Sequence, residues 1–302
     1  MQNSGDNALH PSLRTVLLPL IEGFMEATDY AAASRRAVRS DLIKFGKWFV
    51  AANSEAFDLS RITTRDCADF RDSLRRERSQ SVATVNRNLV SLRRFFGWLK
   101  DKGHVQSSPV EGVKELRRQE SVPKSLDRAA IRKLLREAEA RCDVRAACIF
   151  SMLLYCGLRV SELVALEERD LELGDRSGWL TVRNGKGNKQ RRVPIPLPAR
   201  RSLETYFQTR GDLSLPFVFL GERGALTTKG VRALFSKYSA ITGVKVHPHL
   251  LRHCYGQHFL QANENDLVAL AALMGHESLD TTRRYVQRTP EQLEAASERM
   301  GF

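Results

Sequence analysis

The sequence lacks what would place it in a membrane, in a disulfide scaffold or around a metal. It has no uncharged apolar run of the ~20 residues that a bilayer helix needs, and no signal-peptide or lipidation pattern. Its five cysteines (Cys67, Cys142, Cys148, Cys156 and Cys254) are odd in number and without CxxC spacing. That argues against a disulfide frame or a zinc site and for reduced, mostly buried thiols in a cytoplasmic protein. There is no HExxH and no clustered acidic triplet of the kind that holds two magnesium ions. Metal-dependent phosphoryl transfer thus has little support, and neither a metal nor another cofactor is expected.

Positive charge, by contrast, is abundant. Against 35 acidic residues stand 48 lysines and arginines, a net charge of +13 and a pI near 9.8. Such a balance calls for a polyanionic partner, and with no membrane signal that partner is nucleic acid. An apolar content of 42% is ordinary, and 302 residues suffice for two domains with their own cores.

After a polar start, residues 1–9, apolar positions recur at helical spacing in four runs. The first holds Leu17, Leu18, Leu20, Ile21, Phe24 and Met25; the second Leu42, Phe45, Trp48 and Phe49; the third Cys67, Phe70 and Leu74. The clearest is the fourth, with Val82, Val85, Leu89, Leu92, Phe95, Phe96 and Leu99 on one stripe. A compact all-α module over residues 1–111 is expected. Arg87, Arg93 and Arg94 lie off that stripe, and Arg75 and Arg76 lie close by. Singly each reads as a solvated side chain; together they form a candidate phosphate-facing surface that would position DNA without reading bases. Residues 112–123 keep no apolar period and read as an interdomain linker, leaving 124–302 as a second domain.

That domain carries the chemistry. Ser125 or Asp127 caps a helix with Ile131, Leu134 and Leu135, and 147–166 reads as two apolar helices broken at Gly157. Arg159 stands where the second of these begins. A guanidinium held there keeps its charge and forks two hydrogen bonds to a phosphate, or pairs with Glu162 one turn on, or does both. Trp179–Val182 and Arg192–Ile195 read as strands around the turn NGKGNKQR, whose Lys186 sits between two glycines with Lys189 as its confounder. A fold that is mainly α, with a small antiparallel sheet in the second domain, follows. Further on, His249 and Arg252 are spaced to share a helix face, and Pro248 suits a first helical position, putting the pair at an anion-favouring N-terminus. His276 closes the apolar run ending in MGH, and Ser278 is a candidate cap for a helix carrying Tyr285. A lone tyrosine or a lone His-x-x-Arg is weak; the joint pattern suggests a phenolic oxygen attacking phosphate among cations.

Arg159 in GLRVSEL, Lys186 in GKGNKQR, His249 and Arg252 in HLLRH, His276 in LMGH and Tyr285 in TTRRY resemble, in order, the tyrosine recombinase (phage integrase) family, nearest its Xer-type and phage or transposon integrase members. The resemblance spans the chain. It implies a SAM-like core-binding domain followed by a catalytic domain that cleaves and rejoins DNA at specific sites without metal or ATP. Tyr285 would form a 3′-phosphotyrosine link, Arg159 and Arg252 would clamp the phosphate, and Lys186 would protonate the departing 5′ oxygen. His249 would move the nucleophile's proton and His276 would hydrogen-bond the phosphate, while His253 and His258 read as structural. Arg75, Arg76, Arg87, Arg93, Arg94 and Lys189 would touch DNA. The implied partner is double-stranded DNA with inverted half-sites, held by a homo-tetramer on two duplexes, with or without a related recombinase or accessory protein. In such a ring the C-terminal tail packs onto a neighbour; packing back onto its own protomer is the other arrangement open to it. Two other readings are a type IB topoisomerase-like nicking-closing enzyme, against which the N-terminal helical domain argues, and a non-catalytic DNA-binding protein of the same fold.

Overall fold

In the computed structural model, residues 9–117, 126–183, 190–211, 214–276, 279, 282, 297 and 298 are described, and the chain divides into two compact units, 1–120 and 121–302. Among its described residues the first unit has helices and no strand. A short π-helical stretch, Leu13–Leu17, runs into α1 (Leu18–Glu26), followed by α2 (Ala32–Asn53), α3 (Thr64–Arg76) and α4 (Val82–Asp101). Local chemistry sets the ends: Thr63 and Asp66 make a reciprocal capping box on α3, and the Ser81 hydroxyl accepts from the Thr84 amide to start α4. The α4 stripe is buried as its spacing requires, Val85, Leu89, Leu92, Phe96 and Leu99 having no solvent exposure. Phe45 meets Phe70 edge-on with ring centroids 5.2 Å apart, joining α2 to α3.

Two features depart from the sequence expectation. Helix α2 starts ten residues before its apolar run at Leu42; its first half, with Arg35, Arg36 and Arg39, packs Val38 against the core but carries no apolar stripe that would mark it in the sequence. The stretch 113–116, read as linker, is fastened to the first unit. Val113 is buried, Asn86 makes two hydrogen bonds to the Leu116 backbone (2.8 and 2.9 Å), and Arg71 donates to the Lys114 carbonyl at 3.0 Å. Side chains far off in sequence make these bonds, so no local periodicity marks them.

The second unit is built on α5 (Arg128–Ala140) and α6 (Val144–Cys156), with the short α7 (Val160–Val164) after them. Asp127 is the cap of α5, accepting from the Ala130 amide at 2.6 Å. Ile149, Phe150, Met152, Leu153 and Cys156 of α6 are without exposure, the state of a helix apolar all round. A three-stranded antiparallel sheet follows, in the order β1 (Leu171–Leu173), β2 (Gly178–Val182), β3 (Arg191–Pro194); Leu180 sits opposite both Leu171 and Val193. Then come α8 (Leu197–Thr209), a two-stranded ribbon of β4 (Leu220–Gly221) and β5 (Gly224–Ala225), α9 (Thr228–Thr242), α10 (Pro248–Ala262) and α11 (Leu267–Met274). Phe150 of α6 stands edge-on to Phe235 and Tyr238 of α9, with centroids 5.0 and 5.1 Å away. Strands β1, β4 and β5 went unread because two or three residues carry too little alternation. The turn with Lys186 and Lys189, Ser278 and the segment with Tyr285 lie outside the described residues. Among the described residues no helix is long and apolar enough to cross a membrane.

Candidate active site

Helix α6 ends at Gly157, whose φ of +60° is the left-handed conformation that closes helices. A Cβ there would meet the Tyr255 ring at 2.3 Å, so only glycine fits on both counts. The chain turns so tightly that Arg159, two residues on, becomes the N-cap of α7. Its backbone N–H donates to Glu162 Oε2 and its guanidinium to Glu162 Oε1, both at 2.7 Å. The pairing foreseen for Glu162 is thus met locally, and the same carboxylate, bonded to the Arg159 backbone N–H, also caps the helix. The Arg159 side chain keeps 30% exposure, enough for a ligand to reach it.

On α10, Pro248 is the first helical residue and the His247 ring nitrogen Nδ1 accepts from the Leu250 amide at 3.1 Å. His249 lies exposed on the first turn. One turn on, Arg252 is only 2% exposed. It donates to the Gly157 carbonyl and, at 2.7 Å, to that of Met274; it lies 3.3 Å from His276 Nε2 and 3.8 Å from Glu162 Oε2. The other His276 nitrogen, Nδ1, is 2.8 Å from the hydroxyl of buried Thr282.

The C-terminal turn of α11 draws these parts together. Gly275, at φ +62°, ends the helix, and three successive carbonyls accept from three different arginines. Leu273 O takes Arg191 Nε at 2.8 Å, Met274 O takes Arg252, and Gly275 O takes Arg159 Nη2 at 2.9 Å. Cations at a helix C-terminus are favoured by the dipole and by the unpaired carbonyls there. His276 follows directly, so the same bonds that hold the arginines fix this histidine.

Arg191 is the residue that sequence reasoning missed. It forks to Glu162 with Nη1–Oε1 2.9 Å and Nη2–Oε2 2.8 Å. One signal was there. Arg191 and Arg192 are neighbours on a strand, so one of them must point inward. Arg191 does, at 11% exposure, while Arg192 faces out, pairing with Glu172 at 2.6 Å and lying over the Trp179 ring. Burial alone would push the Glu162 carboxyl up, but hydrogen bonds from Arg191 and from the Arg159 backbone more than offset that and hold it at about 2. The cluster therefore sets one carboxylate charge against three guanidiniums.

The basic residues of the first unit stand differently. Arg87, half exposed, is braced by buried Asp41 at 2.9 Å; burial raises the Asp41 carboxyl against the pull of Ser91, Arg87 and Lys44. Arg94 packs on the Tyr30 ring, Arg76 is exposed, and Arg75 donates to the Gln80 carbonyl at 3.0 Å. Arg93 is turned to the 113–116 stretch, with Glu115 at 2.5 Å and the Val113 carbonyl at 2.7 Å. The thiols of Cys67, Cys148, Cys156 and Cys254 are buried and that of Cys142 is exposed, none of them in a disulfide. Burial raises Cys67 to about 12. His253 is buried, and burial with Arg128 nearby lowers the His258 pKa. Among the described residues no group of three or more His, Cys, Asp and Glu side chains is placed to hold a metal ion.

A helical SAM-like unit followed by a mixed unit with this arginine and histidine cluster defines a class. Residues 124–292 match the phage integrase family and residues 20–103 its N-terminal SAM-like domain. The chain belongs to this family; it is a site-specific tyrosine recombinase, an enzyme that cleaves and rejoins DNA. It is 33% identical over 290 residues to tyrosine recombinase XerA of Pyrococcus furiosus, covering 95% of each chain. To tyrosine recombinase XerC of Chromobacterium violaceum it is 35% identical over 226 residues, 72% of this chain and 74% of that one. In fold it is similar to the XerH site-specific recombinase solved after cleavage of a palindromic difH substrate, with a TM-score of 0.73, 20% identity, and coverage of 92% of this chain and 83% of that one.

Proposed function

We propose that Arg159 and Arg252 clamp the non-bridging oxygens of the scissile phosphate while the Tyr285 phenolic oxygen attacks phosphorus. The bond from phosphorus to the 5′ oxygen breaks, leaving a 3′-phosphotyrosine and a 5′-hydroxyl. Lys186 gives the departing oxygen its proton, His249 moves the tyrosine proton, and His276 hydrogen-bonds the phosphate. Attack by the 5′-hydroxyl of a second strand then releases Tyr285 and joins the strands, with no ATP because the bond energy is kept in the adduct. The observation that carries this reading is the convergence of Arg159, Arg252 and His276 on the last turn of α11. Cations fixed before substrate arrives stabilise developing charge without reorganising.

The palindromic substrate of XerH supports double-stranded DNA with inverted half-sites as the partner; in our reading a homo-tetramer binds two such duplexes, in the cytoplasm, with or without a related recombinase or accessory protein. Arg75, Arg76, Arg87, Arg93, Arg94 and Lys189 would contribute contacts to the DNA backbone, with Arg93 held in part by Glu115. A Tyr285→Phe variant should bind its site like the wild type yet lose recombination between two sites. Recombination retained in that variant would place the nucleophile elsewhere.

A further inference from the structure

Arg191 is on β3, yet its guanidinium bonds to α7 and α11. Its fork takes both Glu162 oxygens and its Nε takes the Leu273 carbonyl, so all three of its nitrogens are engaged within the protein. It also lies flat on the backbone at Gly275, where an added Cβ would come within 2.9 Å of Nη1 and 3.2 Å of Cδ and Cζ. Arg159 differs: it touches the same carboxylate and the same helix end but keeps 30% exposure. Arg191 is thus built into the floor of the cluster, and Arg159 stands at its mouth.

We propose that Arg191 is a positioning residue for strand cleavage: by gripping both oxygens of Glu162 and the end of α11, it fixes the carboxylate that aims Arg159 and the turn that carries His276. This rests on the clamp reading above. Without Arg191, Glu162 answers only to Arg159 and Arg252 and can rotate toward either, and Arg159 moves with it. Lysine cannot substitute, since one ammonium cannot span two carboxylate oxygens and a carbonyl in the plane that the fork requires. Small displacements of positioned groups are costly to rate, about 100-fold for ~1 Å.

The test is single-turnover formation of the covalent adduct on a nicked duplex carrying the site, at saturating protein, with binding to the intact site measured beside it. Arg191→Gln should bind but cleave about 100-fold more slowly, and Arg191→Lys should recover little. In the Arg191→Gln/Glu162→Gln double variant the loss should be no greater than in Glu162→Gln alone, because residues acting as one unit are not additive. On a duplex whose scissile phosphate is replaced by an uncharged methylphosphonate, which asks less of the cations, the gap between wild type and Arg191→Gln should shrink. Wild-type cleavage rates in Arg191→Gln, losses that multiply in the double variant, or an equal gap on both substrates would each overturn the proposal, the last because a merely loosened fold is blind to phosphate charge. If the glutamine variant is not recovered folded, Arg191→Lys carries the same comparison. Wild-type protein that leaves no adduct on the phosphodiester contradicts the clamp itself, and this inference falls with it.

Discussion

Glu162 holds one negative charge among Arg159, Arg191 and Arg252, and its ionisation is what makes their crowding tolerable. Its pKa falls from 4.5 to about 2 on folding, so the stabilisation is present above about 4.5 and is lost as the pH falls toward 2. The shift corresponds to about 3 kcal/mol. The stability advantage of the wild type over Glu162→Gln should therefore narrow as the pH drops from about 5 to about 3; a gap unchanged over that range would mean that the charged carboxylate is not what the arginines bind. Arg159→Lys should bind DNA and lose most of its cleavage rate, since one ammonium cannot hold Glu162, Gly275 and a phosphate together. Unchanged single-turnover cleavage would reject its clamp role. At this scale the sequence was informative where partners are close. Arg159 and Glu162 stand three apart, as do His249 and Arg252, so helix geometry alone pairs them. Arg191 reaches Glu162 from 29 positions away; its place beside Arg192 on a strand says that one of the two points inward, but not which one or toward what partner.

Among the elements, the end of α11 and the break between α6 and α7 decide the site. Both are glycine-terminated, and at both a side chain would strike a neighbour: Tyr255 at Gly157 and Arg191 at Gly275. Gly157→Ala should cost roughly 2–4 kcal/mol from left-handed strain and overpacking and lower the thermal midpoint by several degrees. It should also slow cleavage, because the displaced carbonyl is one that Arg252 uses. A variant with wild-type melting and wild-type cleavage would show that the turn tolerates a side chain. The long helices were legible from their 3.6-residue stripes and polar caps, and β2 and β3 from their flanking turn. The polar first half of α2, the shortest strands and the hold on residues 113–116 were not, because each depends on tertiary partners rather than on a local period.

For the whole molecule, the net charge of +13 accounts for affinity to a polyanion but not for chemistry; any basic protein has the first without the second. In the mechanism proposed above the chemistry belongs to a few cations placed before substrate arrives, Arg252 held on the Met274 carbonyl among them. The most direct measurement is to trap the wild-type protein on a nicked duplex bearing its site, with a chelator present, and to map the linked peptide by mass spectrometry. A 3′-phosphate bonded to the peptide that contains Tyr285, forming at the same rate with and without chelator, is the predicted result. Linkage through another residue, or an adduct that appears only when divalent metal is restored, would contradict it.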